Sequence, residues 1–78
     1  MLMAPKKHLP EGTTWQQAYD AFGELARSEH EDVASAATEE QHLLEQIGGS
    51  DVKMVLEPEI LVGFRRKFMD LLRLQDER

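Results

Sequence analysis

The residues with the most chemical potential are His30, His42 and the acids around them. Glu39, His42 and Glu45 recur at three-residue steps, and a Glu-x-x-His pair on one helix is half of a carboxylate-bridged two-metal site. The other half is missing, because no second Glu-x-x-His occurs in the chain. On a helix, His42 projects about 180° from the apolar side, and His30 lies roughly 18 Å away along the axis. The two cannot share an ion within one straight helix, and a solvated acidic face is expected instead. Nucleophilic and phosphate chemistry are no better supplied. There is no cysteine, no glycine-rich phosphate loop and no serine in a strand-to-helix elbow. Glu29 and Glu40 are the only carboxylates on the apolar side, where burial would raise their pKa values as it does for general acids. Arg65 and Lys67, which flank the apolar stripe of the last helix, could pair with them across an interface. The reading is a protein without catalysis, metal or cofactor.

The elements that would position any site come from a chain of 78 residues. That length makes one domain near the size at which a single core supplies only a few kcal/mol. Without cysteine there is no disulfide framework, so association with a second chain is the remaining common remedy. The opening "MLMAPKKHLP" has no apolar run of signal-peptide length, and no segment approaches the roughly 18 apolar residues of a membrane span. A soluble, cytoplasmic protein is expected. The net charge is −6, and all of the excess acid falls between residues 11 and 57, both flanking segments being net basic. Such a body repels phosphates, so direct nucleic-acid binding is not expected.

Pro5, Pro10 and Gly12 punctuate residues 1–12, which read as a flexible arm; residues 13–78 read as a single helical domain. Thr13 or Thr14 can cap a helix, each having a glutamine three residues on. Beyond them Trp15, Ala18, Tyr19, Phe22, Leu25, Ala26, Val33, Ala36, Ala37, Leu43, Leu44 and Ile47 fall within about 120° of one helical face. That continuity predicts one helix over about 14–47. The alternative is a break near 34–38, with Ser35 or Thr38 capping a second helix. Gly48 and Gly49 stand where a left-handed cap is wanted. Residues 48–57 form a connection whose "SDVKMVLE" lacks a partner strand, and Pro58 opens a helix running to about 75. Its main stripe is Ile60, Leu61, Phe64, Phe68, Leu71 and Leu72.

The fold class is therefore all-α, a helical hairpin or a three-helix bundle. In the hairpin, a first helix of roughly 50 Å faces a second of about 27 Å, which leaves Trp15, Tyr19 and Phe22 uncovered. Burying such side chains is worth about 1.5–3 kcal/mol each, so a partner is expected to cover them. A homodimer is the economical choice, its seam formed by Trp15, Tyr19 and Phe22 with Ala36 and Ala37 allowing close approach. A different protein is the second choice. A break near 34–38 would instead let the first half fold back onto the rest.

The functional hint lies on the back of the last helix. Val62, Arg66, Met69 and Arg73 recur at i, i+4, i+7 and i+11, and arginine and methionine suit protein contact surfaces. The competing reading packs Val62 and Met69 on the 48–57 connection. Taken together, the residues suggest a small protein-binding regulator, adaptor or inhibitor. Compositionally, its style is that of phage- or plasmid-encoded inhibitors and small bacterial regulators. One rival is an acidic nucleic-acid mimic presenting Glu24, Glu31, Asp32, Glu39 and Glu45 to a basic groove. A metal-dependent helical enzyme is the other.

Overall fold

A computed structural model describes residues 9–48 and 54–77. The chain enters through a tight turn at Pro10–Thr13, where Thr13 donates its backbone N–H to the Pro10 carbonyl at 3.2 Å. Gly12 has φ +83°, the left-handed conformation that the third residue of such a turn requires. Leu9, before the turn, is buried in the core, and its carbonyl accepts from Arg65 Nε at 2.7 Å. The arm expected over 1–12 is thus anchored at 9–12, because Leu9 adds apolar area to a small core; residues 1–8 lie outside the described residues.

Helix α1 (Trp15–Leu25) starts as its sequence directs. The Thr14 hydroxyl accepts from Gln17 N at 3.1 Å, and Gln17 Oε1 accepts from Thr14 N at 3.0 Å. This reciprocal pair satisfies two donors that the helix end leaves open. Trp15, Ala18, Phe22 and Leu25 form the buried side of α1.

The single helix expected over 14–47 is not what forms. After Leu25 the backbone tightens, with Arg27 N bonding Glu24 O at 3.1 Å and Ser28 N bonding Leu25 O at 3.0 Å. Ser28 Oγ then accepts from His30 N at 3.1 Å, and helix α2 (Glu31–Gly48) begins with Glu31 and Asp32 in its first turn. Acids there are favoured by the positive helix end. The alternative break near 34–38 does not form either. Ser35 and Thr38 are both inside α2, and the Thr38 hydroxyl donates back to Ala34 O at 2.9 Å instead of capping a new helix. The expected hairpin is thereby replaced by three helices, each touching the other two.

Helix α3 (Pro58–Asp76) carries Pro58 in its first turn and Glu59 beside it, both suited to a helix start. Its inner side presents Leu61, Phe64, Phe68 and Leu71. Phe22 of α1 meets two of these rings edge-on, Phe64 at 6.1 Å and Phe68 at 5.4 Å between centroids. Val33, Ala37 and Leu44 of α2 complete a single core with Leu9 and Leu56.

Polar bonds tie the first two helices together. Trp15 stacks on Tyr19 at 4.9 Å and donates its indole N–H to Leu44 O, while Gln41 Nε2 donates to Tyr19 O at 3.0 Å. Gly48 closes α2 without entering the left-handed region. What it provides is room, since a Cβ there would stand 3.2 Å from Trp15 Cδ1. Gly49 and residues 50–53 lie outside the described residues. The segment after them does find a backbone partner, contrary to expectation. Leu56 N bonds Thr13 O at 3.0 Å and Trp15 N bonds Met54 O at 2.7 Å, around an antiparallel bridge of Thr14 with Val55. Met54 and Leu56 turn inward and Val55 outward, the alternation of extended chain. No helix among the described residues is long and apolar enough to cross a membrane.

Candidate functional site

Because α3 commits Leu61, Phe64, Phe68 and Leu71 to the core, helical geometry sends Val62, Arg66, Met69 and Arg73 to the opposite side. Val62 is 55% exposed and Met69 46%. The reading that packs them on the 48–57 connection is therefore not realised: the described part of that connection sends Leu56 into the core and leaves Val62 and Met69 exposed. With Arg65 and Asp70 the four residues line a shallow groove of about 340 Å³. Three arginines against one aspartate give this patch a local charge of +2 on a chain whose net charge is −6. Arg73 reaches Asp70 at 4.0 Å, an exposed i, i+3 contact of little energetic weight. Arg65 is used at the Leu9 carbonyl. Arg66 has neither a hydrogen bond nor a salt bridge within the described residues.

The residues assigned to a dimer seam fall elsewhere. Trp15, Phe22 and Ala37 are buried within their own chain, and Tyr19 and Ala36 are half-buried against the same core. The turn at 26–30 is the cause, since it returns α1 to the helices that cover its aromatic side. The exposed aromatic patch that called for a second copy does not exist.

The acids divide by position. Glu24, Glu31, Asp32, Glu39 and Glu45 are all exposed, but several already serve the fold. Glu31 and Asp32 sit at the positive end of α2, and Glu45 accepts from the Tyr19 hydroxyl at 2.8 Å. That hydrogen bond, with lesser help from burial and nearby carboxylates, raises the Tyr19 pKa. The wide hollow of about 710 Å³ at the α1–α2 turn is lined by Glu29, His30, Glu31, Asp32 and Ser35. Its acids are those of the turn and the helix start, and its open form holds no enclosed ligand space.

No group of three His, Asp or Glu side chains that could hold a metal ion occurs among the described residues. Of the two carboxylates expected on the apolar side, Glu29 is exposed at the turn and Glu40 is buried. Burial raises the Glu40 carboxyl above its usual range, Lys67 on α3 pulls it part of the way back, and Glu39 pushes it up. The expected Lys67–Glu40 attraction thus exists as a field across α2 and α3, without a salt bridge, whereas Arg65 turns to Leu9. A second hollow, of about 390 Å³, opens beside Glu40 and is lined by Glu39, His42, Leu43, Gln46 and Lys67. The sequence does not reveal it, because Leu43 fits the apolar stripe that points to the interior and yet lines the hollow, 46% exposed.

Comparison of the chain with protein-family models, with curated proteins and with solved structures returned no match in any of the three.

Proposed function

We propose that the protein is a non-catalytic binding module, a regulator, adaptor or inhibitor of another protein, acting through the outer face of α3. The observation that carries this reading is the pairing of half-exposed Val62 and Met69 with Arg66 and Arg73 on a helix whose opposite side is closed in the core. Apolar area supplies the attraction. The arginines select the partner, since guanidinium groups bind carboxylates in a fixed fork. The matching surface is accordingly acidic with an apolar centre.

The test is capture from host lysate with the wild-type chain and with an Arg66→Ala, Met69→Ala double variant, read by quantitative mass spectrometry. A protein held by the wild type should fall about tenfold or more with the variant, in line with the loss of two central interface anchors. Equal capture by both chains removes the α3 face from the function. Capture that ignores these substitutions and collapses with salt would instead favour the acidic face of a nucleic-acid mimic.

A further inference from the structure

The flank of α2 beside α3 carries a second unfinished surface. Leu43 and Ile47, one helical turn apart, are 46% and 43% exposed. The opposite flank of the same helix is occupied, because Gln41 and Glu45 bond Tyr19 of α1. Lys67 of α3 borders Leu43 across the hollow, and Gly63, four residues earlier on α3, is open to solvent with no atom within 4 Å of where its Cβ would be.

Glu40 lines this hollow and is 9% exposed. It makes no hydrogen bond and no salt bridge within the described residues. Its carboxylate oxygens keep some contact with water at the hollow, but the partial desolvation that raises its pKa is a cost to the fold that no close partner offsets, and glutamine or leucine would fit the position at lower cost. Lys67 is exposed and acts on Glu40 only through space. The arrangement lacks a close cation next to exposed aliphatic side chains.

We infer that the α2–α3 hollow is a second protein-binding site, taking a basic amphipathic segment that lays aliphatic side chains on Leu43 and Ile47 and brings an arginine or lysine to Glu40. Charge complementarity selects this occupant: Glu39 and Glu40 outnumber Lys67 in the lining of the hollow, and an arginine can bond both oxygens of one carboxylate. Helix-in-groove recognition uses the same i, i+4 spacing of anchors. The site is independent of the basic face of α3 and opposite to it in charge preference. A chain with both would bridge an acidic partner and a basic one.

Random dodecapeptides displayed on phage, selected against the full chain, provide the probe. The enriched peptides should combine arginine or lysine with aliphatic residues. Binding of a synthetic copy, followed by fluorescence anisotropy, should weaken about tenfold with Glu40→Gln, as truncating a desolvated charge pair does. Leu43→Ser should weaken it similarly, and Glu77→Gln, which removes an acid at the far end of α3, should leave it unchanged. Circular dichroism of each variant establishes that the helices remain. Enriched peptides that ignore both Glu40→Gln and Leu43→Ser, or failure to enrich any, would overturn the inference. So would self-association of the chain that Arg66→Ala abolishes, because a second copy would then be the occupant.

Discussion

Phe22 offers the most direct test of how this chain stabilises itself. Its ring is fully buried and meets Phe64 and Phe68 edge-on, so it joins α1 to α3. Phe22→Ala removes that ring and leaves a void where the helices meet, at a cost of about 3–5 kcal/mol. A single small core supplies only about 3–5 kcal/mol in total, so the alanine variant is expected to be largely unfolded at 25 °C. Phe22→Leu keeps most of the volume and should cost about 1–2 kcal/mol, which leaves a measurable transition. The assay is urea unfolding followed by circular dichroism, at two protein concentrations differing by about fiftyfold. Because the chain covers Phe22 by itself, the midpoints of wild type and Phe22→Leu should not move with concentration. A midpoint that rises with concentration would place part of this core between subunits. An alanine variant that loses less than about 1 kcal/mol would refute the packing itself.

Two further substitutions probe single positions. Gly63 lies within α3 with open space beside it, so Gly63→Ala should stabilise the protein by about 0.8–1.0 kcal/mol, a rise in melting temperature of roughly 4–8 °C; no rise in a thermal scan would mean that the position is strained or contacted. Glu40, whose carboxyl is raised by burial, binds its proton more tightly folded than unfolded, so its contribution to stability falls as pH rises from the unfolded value through the raised one. Glu40→Gln should therefore raise the urea midpoint at pH 7, with the advantage shrinking as the solution is acidified, and a lowered midpoint at pH 7 would show that the carboxylate has a stabilising partner.

Local signals translated into structure where one residue type meets one backbone demand. The Thr14–Gln17 capping box and the Pro58 helix start form at the positions read from the chain, because each satisfies a need set within a few residues. The outer line of α3 was equally readable. Once Leu61, Phe64, Phe68 and Leu71 face the core, Val62 and Met69 have nowhere to go but outward. The antiparallel bridge between Thr14 and Val55 was not readable. It depends on two loop segments about 40 residues apart meeting because their helices pack, and no local pattern encodes that meeting.

The misplaced helix break has a specific cause. An apolar stripe that keeps its phase points to one continuous helix, yet two helices that face the same core must also keep their apolar sides toward it. Phase continuity is therefore common to both arrangements and cannot separate them. What separates them is the chemistry of 26–32: Ser28 with Glu31 three residues on, and two acids at the new helix start. In the structure Ser28 accepts from His30, and Glu31 and Asp32 occupy the first turn of α2. The alanines at 36 and 37 leave room for packing but offer no backbone an alternative bond. The break carries consequences well beyond its own residues. With the turn at 26–30, α1 folds back, Trp15 and Phe22 are covered by their own chain, and the large apolar side chains the helices leave open are instead Leu43 and Ile47 of α2 and Val62 and Met69 of α3. On the proposed function and the further inference, binding is decided by the arginines of α3 and by Glu40, charged groups of opposite sign beside the aliphatic residues that the core leaves open.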